Sequence, residues 1–371
     1  MTNTLSLELR GRALRTRKTS RAGLFKKTLL LGTLLAVGAW STAHAADKTY
    51  EIDFNNWLAS TSAIAVGAFE PWKKLVEEKT DGRVKVNLYH GGVLGQSKTV
   101  LDDVRGGVYT VGYSVPSYWY DSPYFTLTIG ELPFAFDDNK VSSAVMSEFA
   151  QKYSKDIFEK LGVKDMGVTT TDPYVIFGVK PIRTIDDMKN KKIRVPGRTF
   201  VQMLKEWGAV PTPMPNEDTY TALERGTLDA AYYSPSGARG WKYNEVAPYM
   251  TMINTPVIVL NPIMNQQFFD ALPEDLQKQF DEELNPALID LIVKTYSEDI
   301  AKTVSVVEER AEKGRGEVIR LTDEEREPLI AATKQDWDNW IKEADKRGLN
   351  GEQLMSDFKE IMKSHGANPP F

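Results

Sequence analysis

The sequence predicts an α/β protein of two similar lobes followed by a charged helical region. Strand, helix, strand, helix, strand is the order through the first third of the chain, and it recurs after about residue 170. Asp103-Val104-Arg105-Gly106-Gly107-Val108-Tyr109 and Ala222-Leu223-Glu224-Arg225-Gly226-Thr227-Leu228 echo one another as helix end, glycine and buried strand. Beyond residue 273 apolar residues keep helical spacing among many charges. A length of 371 residues suits two domains on one chain.

The first element is an address label. Arg10, Arg12, Arg15, Arg17, Lys18, Arg21, Lys26 and Lys27 form a basic region, residues 28–40 carry no charge, and Ala43-His44-Ala45 is a small–x–small cleavage signature. The uncharged run is shorter than the roughly 20 apolar residues of a membrane span. Ala22 stands where a twin-arginine signal would have its second arginine, so general export is expected.

In the first lobe, residues 50–54 alternate as a half-buried strand, and Phe69, Trp72, Leu75 and Val76 mark a helix over 62–79. Asp81-Gly82 is a turn before a second strand at 84–88, a helix over 100–105 stops at Gly106-Gly107, and 109–115 is a third strand. The second lobe repeats the scheme. A strand at 174–179 precedes Thr184-Ile185-Asp186-Asp187, which has capping-box spacing, and Lys192-Ile193-Arg194-Val195 is a strand stopped by Pro196-Gly197. A helix at 199–207, an extended segment at 210–214, a helix at 218–225 and a strand at 228–232 complete it. The tail reads as helix over 273–313 with a break or kink at Pro286, a short strand at 318–321, a capping box at Thr322-Asp323-Glu324-Glu325, and a last helix over 351–364. The expected division is therefore a removed signal peptide at 1–45, lobe one at 46–170, lobe two at 171–255, and a crossing segment with C-terminal helices packing on both lobes at 256–371.

Composition excludes several functions. The leader takes 8 of the 46 Lys and Arg and 1 of the 51 Asp and Glu, leaving 38 basic against 50 acidic residues and a formal net charge of −12. A nucleic-acid binder would instead show a basic stripe. There is no cysteine, hence no disulfide, thiol nucleophile, thiolate metal site or acylated cysteine anchor. Of three histidines, only His90 and His365 lie beyond the leader, and Gly-x-Ser-x-Gly, His-Glu-x-x-His and Gly-x-x-x-x-Gly-Lys are absent. No cofactor, metal or enzymatic activity is expected; a carboxylate-dependent enzyme is the rival from another class. An exported, untethered, acidic chain points to the periplasm.

From about Tyr50 to Gln277 the chain resembles the substrate-binding subunits (DctP-like) of tripartite ATP-independent periplasmic (TRAP) transporters. The likeness is carried by Phe69-Glu70-Pro71-Trp72-Lys73-Lys74-Leu75-Val76, by His90-Gly91-Gly92-Val93-Leu94-Gly95, and by Ile129-Gly130-Glu131-Leu132-Pro133-Phe134. Most telling are Lys191-Lys192-Ile193-Arg194-Val195-Pro196, Gly208-Ala209-Val210-Pro211-Thr212-Pro213-Met214 and Tyr220-Thr221-Ala222-Leu223-Glu224-Arg225-Gly226. The resemblance implies a periplasmic binding protein of the Venus-flytrap type, with a ligand cleft between its lobes, that delivers its cargo to membrane permease subunits driven by a sodium gradient. It also implies that Arg194 reads a substrate carboxylate.

The residues agree with that expectation. Side chains alternate along a strand, so Arg194 faces opposite to Ile193 and Val195, and the Pro-Gly stop sets it near the carboxyl edge, where open α/β sheets place ligands. A guanidinium fork matches a carboxylate with two charge-assisted hydrogen bonds. Aligned with the sialic-acid branch of that family, Tyr233 falls on a ligand-binding asparagine, Tyr174 on a second arginine, and Trp57 and Val115 on polar contacts. The implied pocket has one arginine and aromatic or apolar walls. That suits a monocarboxylate with an apolar or aromatic body. A C4-dicarboxylate would need Arg198 or a lobe-one lysine turned inward, and a sugar acid would lack polar partners. Met214 and Asn216 follow an extended segment running toward the cleft. Tyr118-Trp119-Tyr120 and Tyr232-Tyr233 fit either lobe packing or the cleft wall. The C-terminal charges read as solvated faces, with a homodimer contact as the alternative.

Overall fold

Two six-stranded mixed sheets, one per lobe, organise the residues described by the computed structural model, 48–197 and 200–371. The leader and Arg198 lie outside the described residues. The first sheet has the order β2 (Val84–Tyr89), β1 (Tyr50–Asn55), β3 (Val111–Ser114), β11 (Val259–Asn265), β4 (Val163–Asp165), with β5 (Thr169–Thr170) also pairing β11. Its first three strands are parallel, and β11 runs antiparallel to its neighbours. The alternation of β1 sends Ile52 and Phe54 into the core, where Phe54 meets Phe69 and Trp72 at ring-centroid distances of 4.8 and 5.8 Å. Trp72 belongs to the helix Glu70–Lys79, which continues directly from a π-helical turn, Ala65–Phe69, with Pro71 just after the junction.

The second sheet has the order β12 (Glu317–Arg320), β10 (Tyr249–Met252), β6 (Val175–Gly178), β9 (Ala230–Tyr233), β7 (Lys192–Val195), β8 (Val210–Pro213). β8 holds Pro211 and Pro213, residues that cannot donate to a ladder, and it occupies the edge. β7 lies between β8 and β9, parallel to both, with Arg194 opposite Ala231. Thr184 and Asp187 make the reciprocal capping box that their spacing predicts, with aspartate in place of the usual glutamate.

The lobes are joined by crossing segments that pair with one another. Thr171 N donates to Ile258 O at 2.9 Å, Tyr174 N to Pro256 O at 2.9 Å, and Thr255 N to Tyr174 O at 3.1 Å. The long helix Asn285–Glu312 also touches both lobes: a Cβ on Gly67 would lie 2.8 Å from Thr295 Oγ1, and Asp299 pairs with Arg239. Helix neither stops nor breaks at Pro286. A π-helical turn, Phe280–Leu284, joins Glu274–Gln279 to Asn285–Glu312, so the proline falls in a first turn.

The tail opens on the capping box of Thr322 and Glu325, and its tryptophans anchor it. Trp337 Nε1 donates to Pro133 O and Trp340 Nε1 to Thr128 Oγ1, each at 3.0 Å, while Trp207 Nε1 of the other lobe donates to Leu329 O at 3.1 Å. The apolar faces of these helices are thereby used within the chain. Among the described residues, the exposed large apolar side chains are Val66, Val93, Leu94, Val108, Val179 and Val210, so nothing favours a homodimer through the tail. No described helix is long and apolar enough to cross a membrane.

Candidate ligand cavity between the lobes

Arg194 leaves β7 into the interior and is wholly buried, while Lys192 on the same strand face is exposed. Its Nε donates to Met214 O at 2.9 Å, Nη2 to Asn216 Oδ1 at 2.5 Å, and Nη1 more weakly to Tyr232 O at 3.5 Å. Those bonds leave one further N–H on each terminal nitrogen, next to the Tyr118 phenol. Among the described residues no carboxylate lies within ion-pair distance of this guanidinium, although buried charges are ordinarily paired. Instead it sits 5.0 Å over the ring of Tyr233. Burial works against the Arg194 charge, but the phenol oxygens of Tyr118, Tyr243, Tyr233 and Tyr174 outweigh it and hold its pKa above the ordinary value. Burial likewise drives the Tyr118, Tyr174 and Tyr233 phenols up, which Arg194 only partly offsets. The result is a fixed cation among neutral hydroxyl donors.

Beside this cluster lies a cavity walled by both lobes. About 480 Å³ of space lies between its wall atoms, part of it open to solvent, and little of it is wide enough for a water molecule. The cavity is therefore narrow, and a ring-sized molecule would enter only if the lobes parted. Lobe contacts guard it. Ser97 N and Oγ each reach Glu217 at 3.5 Å, and a Cβ on Gly197 would lie 3.2 Å from Ser117 O.

Of the residues expected at the site, Trp57, Tyr174, Asn216 and Tyr233 line this cavity together with Val115. The Trp57 indole is turned by its bond to Tyr113 O at 2.8 Å, so it offers the cavity an apolar face. Two expectations need adjusting. Met214 acts through its backbone carbonyl, which fixes Arg194, and its side chain is not part of the wall. Arg194 itself lies behind Asn216, Tyr118 and Tyr233 rather than in the wall.

The aromatic pairs divide: Tyr118 and Tyr233 line the cavity, while Tyr232 packs in the core and donates to Thr255 O. Sequence reasoning missed Tyr296, because a tyrosine at helical spacing on a long helix reads as core, and it missed Thr171, Ser234 and Ser236, which no spacing marks. Among the described residues, the wall contains no Lys, Arg, His, Asp or Glu. Lys98 of the first lobe lies over the Tyr118 ring at 5.9 Å and lines a separate surface groove.

Two α/β lobes meeting at a cavity are the architecture of two-lobed periplasmic binding proteins. The family profile of bacterial extracellular solute-binding proteins, family 7 (DctP), matches residues 54–343, and the chain belongs to that family, whose members are periplasmic binding subunits rather than enzymes. It is 28% identical over 211 residues to a solute-binding protein of Sulfitobacter, covering 56% of this chain and 63% of that one. The chain thus spans a little under two thirds of that relative. It is 26% identical over 305 residues to the C4-dicarboxylate-binding periplasmic protein DctP of Rhodobacter capsulatus, covering 80% of this chain and 89% of that one. A TRAP solute-binding protein of Rhodoferax ferrireducens, solved with copurified benzoate, superposes with a TM-score of 0.79 at 22% identity, covering 85% of this chain and 98% of that one.

Proposed function

We infer that this protein is the periplasmic receptor of a TRAP transporter, capturing a small organic monocarboxylate with an apolar or aromatic body and handing it to a sodium-coupled membrane permease. The observation that carries this reading is Arg194, a buried cation without an acidic partner among the described residues, set behind an uncharged wall of tyrosine, tryptophan and aliphatic side chains. A ligand carboxylate would supply the missing anion through the remaining N–H groups of Nη1 and Nη2 once Tyr118 makes way, with the bonds to Met214 O and Asn216 Oδ1 kept. The ligand's remaining atoms would meet Trp57, Val115, Tyr174, Tyr233, Ile258 and Leu260.

Structural relatives of this chain hold benzoate, mandelate and 3-hydroxybenzoate, and others hold galacturonate or succinate. They make several ligand classes available to this architecture without choosing among them. The choice rests on charge. A second carboxylate inside this cavity would find no cation for it among the described residues, at a cost of several kcal/mol. The C4-dicarboxylate reading is favoured by the Rhodobacter relative and requires a second cation, from Lys98 turned inward or from Arg198, which lies outside the described residues. The lobe boundaries at 170/171 and 255/256 are supported by the paired crossing segments on either side.

Native mass spectrometry of the purified protein, searching for a copurified acid, tests the reading directly. A thermal-shift screen follows, because a ligand that binds only the folded state raises the melting temperature. Benzoate and phenylacetate are expected to shift it and succinate is not. A shift with succinate or galacturonate alone would overturn the monocarboxylate assignment.

A further inference from the structure

Away from Arg194 the cavity wall changes character. Thr171, Ser234, Ser236 and Tyr296 bring hydroxyl groups to the wall, and behind Ser236 lies Asp172, only 1% exposed. Asp172 Oδ2 accepts from Ser236 N at 2.9 Å and from Ser236 Oγ at 2.6 Å. The Ser236 proton is therefore directed away from the cavity. Thr171 repeats the pattern: its hydroxyl donates to Asp172 O at 2.8 Å and accepts from Ile258 N at 3.0 Å. Both side chains line the cavity with their protons already committed, so what they offer inward are oxygen lone pairs.

The neighbours of Asp172 agree with this polarity. Burial pushes its pKa up to about 6, against the lowering effect of Ser236 and Ser234, and Asp299 adds to the rise; Asp299 is itself paired with Arg239. Above that pH Asp172 is ionised and can only accept, which fixes the direction of the Ser236 hydrogen bond. Tyr233 connects the two ends of the site. Its ring lies 5.0 Å from the Arg194 guanidinium, and it also closes on Gly237, where a Cβ would come within 2.5 Å of Tyr233 Cε1. A ligand spanning Tyr233 would thus meet a cation on one side and hydrogen-bond acceptors on the other.

We propose that Ser236 and Thr171, oriented by Asp172, form an acceptor wall that selects carboxylates bearing a hydroxyl group on their apolar body. This deepens the monocarboxylate reading and rests on it. A bare ring leaves the lone pairs of Ser236 without a partner once water is expelled, and an ether or ketone places a second acceptor against them. A hydroxyl satisfies them. Asp172 is a positioning residue, since it acts through Ser236.

The test is calorimetric titration at pH 8 with benzoate, the three hydroxybenzoate isomers and their methoxy counterparts. At least one hydroxy isomer is expected to bind about tenfold tighter than benzoate and than its own methoxy analogue, the ratio that one net hydrogen bond gives. In Ser236→Ala that ratio is expected to fall toward one, whatever happens to the absolute affinities; Ser236→Thr, which keeps the hydroxyl, retains the preference. Benzoate binding without hydroxyl preference, a methoxy analogue binding as tightly as its hydroxy partner, or a ratio unchanged in Ser236→Ala would each overturn the acceptor wall alone. Failure of every aromatic acid to bind, with succinate binding, would overturn the wall together with the reading beneath it.

Discussion

Replacing Arg194 by lysine separates the charge of the site from its geometry. Arginine would give a ligand carboxylate two N–H groups while keeping its bonds to Met214 O and Asn216 Oδ1. A lysine ammonium has three protons on one atom, and those same acceptors compete for them. Losing one of two charge-assisted bonds, worth about 2 kcal/mol, corresponds to roughly 30-fold weaker binding. Arg194→Met removes the cation as well. Breaking a buried ion pair costs about 3–5 kcal/mol, or roughly two to three and a half orders of magnitude in affinity. The same bonds hold β7 to its neighbours, so urea melts of each variant must accompany the titrations. The assay is calorimetry with the tightest acid from the screen. Binding within threefold of the parent by a folded Arg194→Met variant would refute the assignment, and equal losses in Lys and Met would refute the argument from fork geometry.

Two further substitutions probe the frame around the site. Asp336 sits between the C-terminal helices and the helix Val201–Glu206 of the second lobe; burial, with Glu206 adding repulsion, pushes its pKa up to about 8. The folded state then holds a proton that the unfolded chain releases near pH 4. Stability is therefore lost as pH rises through this window, by about 1.4 kcal/mol per unit. Asp336→Asn should be more stable than the parent at pH 8.5, by several kcal/mol, and nearly equal to it at pH 4; urea midpoints showing the same difference at both pH values would contradict this. Gly237→Ala should place its methyl against Tyr233, whose ring is held by Tyr174 and Tyr243 at centroid distances of 5.5 and 5.2 Å. Overpacking of this kind costs about 1–3 kcal/mol of stability. Ligand affinity should fall with it, and unchanged melting and binding would show that Tyr233 moves freely.

Much of this frame is legible in the sequence because its signals are local. Capping boxes at Thr184 and Thr322, glycines after helix ends and strict alternation at Ile193-Arg194-Val195 are fixed by neighbours a few residues apart. The segment between β3 and β6 is not legible in this way. Its irregular helical turns at Pro123–Glu131 are buried nearly throughout and show no amphipathic period, and the helix Asn139–Ser154 buries serines beside its apolar residues. The site divides along the same line. Arg194 is singled out as a candidate because a strand, a proline stop and a family likeness converge on it. Asp172 and Ser236 come together from 64 residues apart, and only the folded crossing segment makes their pairing visible. Met214 shows the converse limit, since its contribution is a carbonyl that any residue would supply.

The arrangement of charge also bears on how closure would be linked to capture. One polar contact between the lobes, Ser97 with Glu217, is made at 3.5 Å, the outer limit of a useful hydrogen bond, and contributes little bias. Desolvation of Arg194 weighs more. With the lobes apart, water can solvate the guanidinium; with them closed, it lies among neutral phenols and an amide. Closing over an anion exchanges that water for a carboxylate in a low-dielectric setting, where each charge-assisted bond is strengthened. Closing over a neutral molecule of the same shape leaves the charge unpaired. On the proposed reading the ligand's charge would set the preference between open and closed, since only a differential interaction of that kind shifts such an equilibrium. A benzamide titrated alongside benzoate isolates the effect of charge: the ring contacts are the same, the anion is gone, and both affinity and closure measured by small-angle scattering should drop together. Closure by benzamide equal to that by benzoate would mean that shape, and not the buried arginine, drives the lobes shut.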